Sequence, residues 1–530
     1  MLSVARLAVI ALALFPVLPV AAAPAADIAV QVQGSLHPLY EARQFAPLWL
    51  GDDGRPTARA AQALQLVAQA ADDALDPADY QLVALQQQHD RLAQHAGSDS
   101  EQAAFDLALS RTLARYLEHL SIGRVAPRSV GLDIDLAPQL ARLPQHLQQV
   151  LTAGDLPAAV ATVRPQLPPY AALRQLLPAY RALAAQHPHG PALPPLPGRK
   201  LEPGQPWPGL AALADWLTIL GDLPAGTPLP AVYDGALVEA VKRFQARHAL
   251  ASDGVIGKQT YEVLQVPLPA RVRQIELAME RLRWMDDHVV QGRYLVINIP
   301  QFTLWAYTPA ADGPQVALTM PVVVGIAGKN ETPVMTKTLS SLVFSPYWNV
   351  PRSIATKEII PKLRKDPAYL VHEDMELVGS NGVHGSHAGP DEINGIIMGD
   401  YRIRQRPGEK NALGGLKFVF PNDDNIYMHD TPSKRLFAKD RRDFSHGCVR
   451  LGNPMGLALF ALQTQGEWDE AKVNAKIAAS TDQHLALKER MPVLLMYFTA
   501  NVADDGSALF PQDIYQQDAT LAAALNDHAQ

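Results

Sequence analysis

Residues 426–451 read IYMHDTPSKRLFAKDRRDFSHGCVRL, and this stretch decides the reading of the chain. It holds Cys448, the only cysteine in 530 residues, with His429 and His446 ahead of it. A thiol attacks as its thiolate, and a nearby imidazole lowers its pKa or accepts its proton. A free cysteine is commonly a small buried hydrophobe. A single one with histidines close by is instead a candidate nucleophile. Asn453-Pro454 reads as an N-cap followed by proline at the first helical position, which puts Cys448 on a loop entering a helix. The run 425–429 looks like a strand with His429 at its end. Enough chain separates His429 from Cys448 for the imidazole to fold back to the sulfur without a metal.

Working outward, residues 294–299, 302–307, 318–325, 338–345, 416–420, 425–429 and 493–499 are β-branched or aromatic-rich and bounded by turns. They predict a mostly β domain over 290–500. Residues 351–410 interrupt it with helical and glycine-rich sequence, read as a lid-like insertion over the site. Within that insertion His384 and His387 lack carboxylates or cysteines at ligand spacing, so no metal is expected. No cofactor is expected either.

Upstream, Val272, Ile275, Met279 and Leu282 mark an amphipathic helix with Arg and Glu on its other face. Residues 210–267 predict a small helical unit with a two-glycine turn, DGVIG, at 253–257. Eight prolines between 187 and 208 prevent helix and predict an extended strap. Residues 27–200 carry helical periodicity, as at Leu109, Leu113, Tyr116 and Leu120, and read as a helical scaffold. Residues 1–26 read as a secretory leader: Arg6, an apolar run over 7–20 too short to span a bilayer comfortably, then small residues at 21–26. No later segment is long enough to be transmembrane. Residues 501–530 are left as a C-terminal tail.

The chain is 48% hydrophobic and 19% charged, with net charge −7 and no long basic run. Its length calls for about three domains. Nucleic-acid binding has no electrostatic support. One cysteine excludes an internal disulfide and leaves a thiol for chemistry.

His429, then Ser445-His446-Gly447-Cys448, then Arg450 resembles the signature of the L,D-transpeptidase (YkuD-type) catalytic domain. PYWNVP at 346–351, NALGGLKFVFPN at 411–422 and HDTP at 429–432 resemble its large periplasmic members. The pattern FQ-x-x-H-x-L-x-x-D-G-x-I-G-x-x-T from Phe244 resembles a peptidoglycan-binding repeat. The resemblance implies a multidomain α+β chain: an N-terminal α-helical scaffold, a small three-helix peptidoglycan-binding module, and a mostly-β catalytic domain with a capping insertion.

It implies Cys448 as nucleophile, His429 as its proton partner, and a carbonyl near Asp430 orienting the imidazole. It places His446 and the Gly447 and Cys448 amides near the oxyanion. Arg450 suits a substrate carboxylate; for Arg450 and Ser445 a local structural bond is the competing role. The implied reaction is 3→3 cross-linking of peptidoglycan stem peptides through a Cys thioester, releasing D-Ala, in the periplasm. The implied partners are stem peptides, glycan and other cell-wall synthesis proteins. Two rivals stay open: a peptidoglycan hydrolase or L,D-carboxypeptidase, and a non-catalytic wall-binding protein using 210–266.

Overall fold

Helix formers dominate the first part of the chain and β-branched residues the last, and the folded chain follows that division. The computed structural model describes residues 23–311 and 313–527. Residues 1–22 of the expected leader lie outside the described residues. Two compact units form. The first comprises the chain up to Ala71 with Leu75–Glu118 and Arg142–Val163. It is helical, and a buried carboxylate ties it together. Asp106 accepts from Leu48 N at 2.9 Å, Trp49 N at 2.7 Å and Tyr40 Oη at 2.5 Å. Burial of a carboxyl group is tolerated where such donors surround it.

The second unit holds everything from Arg164 onward, with Asp72–Ala74 and His119–Ala141. Three helices, α1 (Leu210–Ile219), α2 (Ala236–Arg247) and α3 (Lys258–Leu264), form the small module. Its sequence pattern is explained by hydrogen bonds. The buried Gln245 amide donates to Val255 O at 2.9 Å and accepts from Gly254 N at 2.8 Å. His248 Nδ1 meets Phe244 O at 2.7 Å, and Arg247 pairs with Asp222 at 2.5 Å.

Helix α4 (Leu268–Arg283) follows. Its apolar face is buried as the spacing predicts, but the Arg/Glu face is buried too. Arg283 pairs with Glu280 at 2.7 Å and Arg281 with Asp518 at 2.6 Å. Pairing makes that burial tolerable, and periodicity alone cannot reveal it. Asp518 opens a helix, Gln517–Asp527, whose Leu521 and Leu525 are buried. The expected C-terminal tail is therefore folded onto the second unit through its last described residues.

The β domain is built from β1 (Tyr294–Asn298), β2 (Thr303–Thr308), β3 (Gln315–Gly325), β4 (Met335–Phe344), β5 (Leu416–Val419), β6 (Met428–His429), β7 (Asp443–Ser445), β8 (Val449–Leu451) and β9 (Gln483–Met496). The sheet order is β7-β3-β8-β6-β5-β4-β9-β1-β2, and β2 also pairs with β3. That last pairing closes β3, β8, β6, β5, β4, β9, β1 and β2 into a ring. Alternation along each strand then sorts side chains into an inside and an outside. Leu295, Ile297, Leu304, Ala306, Val322, Phe418, Met428, Val449 and Leu451 are buried inside.

The insertion between β4 and β5 has its own core of Val350, Ile354, Ile360, Leu363, Leu377, Ile396 and Ile403. It also has its own four-stranded sheet. A π-helical turn, Ala355–Ile359, lies near its start.

Candidate active site

Register explains how the chain gathers its reactive side chains. Strand β6 pairs in parallel with β8, Met428 opposite Val449 and His429 opposite Arg450. On its other edge β6 pairs with β5, Lys417 opposite His429 and Phe418 opposite Met428. Since Phe418, Met428 and Val449 point inward, Lys417, His429 and Arg450 form one row on the outer face. One step back, Val449 N bonds Tyr427 O at 3.0 Å. Tyr427 and Cys448 thus form the adjoining row, with Cys448 diagonal to His429. Nothing but strand pairing brings positions 417, 427, 429, 448 and 450 onto one patch.

His429 is 5% exposed, and its Nδ1 lies 2.5 Å from the carbonyl of Asp430. Burial first, then Arg450, pushes its pKa from 6.5 down to about 3. The ring is therefore neutral at pH 7. A neutral ring bonded to a carbonyl through Nδ1 carries its proton there, leaving the Nε2 lone pair free. The Asp430 carboxylate turns elsewhere, accepting from Gly415 N at 3.0 Å, Thr431 N at 2.7 Å and Lys434 Nζ at 2.5 Å.

Cys448 is half-buried, and its thiol donates to Asn425 O at 3.8 Å. Burial raises its pKa above 9.0, opposed by hydrogen bonds from Tyr427 and by the charges of Lys417 and Arg450. The resting pair is thus a thiol and a neutral imidazole. No hydrogen bond joins the sulfur to His429 or His446 among the described residues. Catalytic hydrogen bonds in unliganded sites are often long and tighten only in the complex.

The SHGC turn is braced internally. Ser445 Oγ donates to Cys448 O at 2.5 Å and accepts from Gly447 N at 3.2 Å. Gly447 has φ +109°, a region that favours glycine, and an added Cβ would lie 3.1 Å from Ile426 Cδ1. Thr332, fully buried, donates to Gly447 O at 2.6 Å and accepts from Gly325 N at 2.9 Å. Tyr515, from the segment expected as tail, supports the same corner by donating to Gly325 O at 2.7 Å.

Three expectations change here. The Gly447 amide is taken up by Ser445, so only the Cys448 amide of the two lacks a partner among the described residues. His446 turns to the insertion instead, its Nε2 2.5 Å from Glu358 Oε1 on the π-helical turn. Helical turns of this kind are frequent at functional sites. The strand expected over 425–429 is reduced to Met428–His429, because Asn425 sits at φ +57° in the turn before it. The helix expected at Pro454 spans Pro454–Leu462, with Asn453 Oδ1 accepting from Gly456 N at 2.9 Å.

Tyr427, Lys417, Asn425 and Glu358 were not singled out in the sequence. Strand alternation in Y-M-H does place Tyr427 beside His429. The other three depend on register and tertiary folding. Among the described residues no group of three or more His, Cys, Asp or Glu could hold a metal ion, and His384 lies against Tyr401 and Glu392. No helix among them is long and apolar enough to cross a membrane.

Comparison with known proteins agrees with this layout. Residues 292–473 match the YkuD family, described as the L,D-transpeptidase catalytic domain. Residues 208–264 match a peptidoglycan-binding domain family, and 34–177 a scaffold domain family. A Haemophilus influenzae protein named for L,D-transpeptidase activity is 31% identical over 281 residues. That match covers 52% of this chain and 55% of the relative, so the chain spans about half the relative's length. Among solved structures, Bdellovibrio bacteriovorus Bd1075 is 14% identical with a TM-score of 0.16, covering 45% of this chain and 57% of that one. A Clostridium acetobutylicum protein described as a fused Zn-dependent amidase/peptidase with a peptidoglycan-binding domain is 12% identical with a TM-score of 0.15. That match covers 56% of this chain and 99% of the other.

Proposed function

We propose that this chain, which carries an L,D-transpeptidase catalytic domain beside a peptidoglycan-binding domain, makes 3→3 cross-links in peptidoglycan through a thioester on Cys448. The observation that carries the reading is the outer row of β5, β6 and β8. It sets a neutral imidazole with a free Nε2 diagonal to the only thiol, and beside an arginine with no acid partner among the described residues. Nucleophile, base and a docking charge for an anionic substrate share one face.

In the first step His429 Nε2 takes the thiol proton as Sγ bonds to the carbonyl carbon of the third residue of a tetrapeptide stem. The oxyanion that develops is met by the Cys448 amide, a donor type worth about 3 kcal/mol at such a site. The C–N bond to the terminal D-Ala breaks, and the imidazolium returns its proton to the departing amine. In the second step His429 removes a proton from the side-chain amine of a neighbouring stem. That nitrogen bonds to the thioester carbon, the C–S bond breaks, and the proton ends on sulfur. Water in place of the amine gives carboxypeptidase action. Arg450 pairs with a substrate carboxylate through its planar fork. Glu358, by meeting His446, ties the insertion to the site, and the insertion limits access of water.

We place the enzyme outside the cytoplasmic membrane, in the periplasm, with a leader over 1–26, since its substrate lies there. Intact mass after incubation with a tetrapeptide stem tests the reading. The wild-type protein gains the acyl mass and releases D-Ala, and an added acceptor stem removes that mass as a cross-linked dimer. Cys448→Ala gains nothing; a Cys448→Ala protein that still cross-links would refute the mechanism.

A further inference from the structure

Two cations straddle His429 in the outer row. Lys417 is its register partner on β5 and Arg450 on β8. Arg450 Nε is buried without a hydrogen-bond partner among the described residues. Lys417 Nζ lies 3.9 Å from the centre of the Tyr427 ring, and no ion pair of Lys417 or Arg450 with an acid occurs among the described residues. The acids nearby are engaged elsewhere. Asp430 holds Lys434, Glu358 holds His446, and Asp482 meets Tyr347 N and His484, its charge reaching Lys417 without an ion pair. Burial lowers the pKa of both cations. Partly buried charges without a counterion are expensive, and a site that keeps two is built for anions that arrive with the ligand.

Arg450 accounts for one carboxylate under the function proposed above. Lys417 is two strands away, about 10 Å along the sheet. That is too far to share one carboxylate end-on with Arg450 and near enough for a second on the same peptide. We propose that Lys417 is a specificity residue that pairs with a second carboxylate, so that the preferred donor carries a free carboxylate on the side chain of its third residue. The inference rests on the transpeptidase reading. Tyr427 orients the lysine: its ring face carries the Nζ, and it lies in the same row as Cys448. The contact that reads the donor thus adjoins the nucleophile.

The test uses three synthetic tetrapeptides that differ only at the end of the third side chain: free carboxylate, carboxamide, or no carboxyl group. Acylation of the full chain is followed by intact mass, and kcat/KM and KM are compared. Wild type should favour the free acid by about tenfold or more, the range of one charge-assisted contact. Lys417→Met should bring that ratio near one, the added loss on the free acid falling on KM. Lys417→Arg should keep most of the preference. The ratio does not depend on the fraction of folded protein, so a poorly folding variant still reports. Equal loss on all three peptides, with slower alkylation of Cys448, would overturn the proposal and assign Lys417 to the sulfur alone. A wild type indifferent to the side-chain terminus would also overturn it. A wild type acylated by none of the peptides fails earlier, at the transpeptidase reading itself.

Discussion

Changing pH separates two descriptions of the sulfur. In one, Cys448 and His429 rest as a thiolate–imidazolium pair. In the other, which the structure supports, they rest as thiol and neutral imidazole. Burial and Arg450 hold His429 at about 3, and burial holds Cys448 above 9.0. The neutral pair is then the dominant form between those limits, and acylation that consumes it is flat over most of the range. We expect kcat/KM for acylation by a tetrapeptide to change little between about pH 5 and pH 8, with the acid limb below. Alkylation by iodoacetamide behaves differently, because it needs the thiolate. A thiol titrating at 9.0 or above is at most about 1% ionised at pH 7, so its rate should climb roughly tenfold per pH unit up to pH 9. Cys448 is the only cysteine, and the mass shift reads that one sulfur.

The same burial governs stability. In the unfolded chain the imidazole binds its proton near 6.5, whereas in the fold it resists protonation down to about 3. The stability that depends on a neutral ring is therefore fully present above pH 6.5 and is lost as pH falls toward 3. The slope from this one group is about 1.4 kcal/mol per pH unit. His429→Gln should flatten it in denaturant titrations at pH 4 to 7. Alkylation that is pH-independent from 5 to 8, or an acylation limb centred near 6.5, would refute the neutral-pair description.

Thr332→Val keeps the shape of the buried side chain but leaves Gly325 N and Gly447 O without their partner. An unmet buried group costs about 1–3 kcal/mol, so the midpoint of guanidinium unfolding should fall, while Thr332→Ser stays close to wild type. Equal midpoints would mean that another group or water serves both atoms. Glu358→Ala removes the contact between the insertion and His446. An exposed pair of this kind is worth at most about 1 kcal/mol, so access of a bulky thiol reagent to Cys448 at pH 9 should rise by about fivefold or less. An unchanged rate would show that the insertion is held by other contacts.

The fold was legible where one periodicity dominates. The β-rich runs after 290, apart from the shortened 425–429, appear as strands, and the FQ…DG…G…T pattern appears as the hydrogen-bonded turn of the small module, because each rests on local rules. Side chains that matter through non-local pairing were not legible. Nothing in L-K-F-V announces that Lys417 lies opposite His429, since register is a property of two strands. The charged face of α4 misled for the same reason. Arg281 is buried because Asp518, more than two hundred positions later, returns to meet it. The segment after 500 read as a tail because nothing local in it announces that Tyr515 reaches Gly325 or that Leu521 and Leu525 are buried. It is held instead by a buried helix face, the Arg281–Asp518 pair and Tyr515 on Gly325.

The nineteen-position gap between His429 and Cys448 acquires a physical meaning from the parallel pairing of β6 and β8. An antiparallel hairpin could join two strands with a tight turn, but parallel strands need a long connection. Residues 430–448 supply it, passing through β7, which pairs in parallel with β3 before the chain returns through the SHGC turn. The sulfur is presented by a turn whose carbonyls and amide are tied to Ser445 and Thr332, while the imidazole is fixed by the next carbonyl in its own strand. Each group is held by its own backbone rather than by the other. The resting site therefore needs no Cys–His hydrogen bond to keep its geometry, and substrate binding is left to supply the last approach.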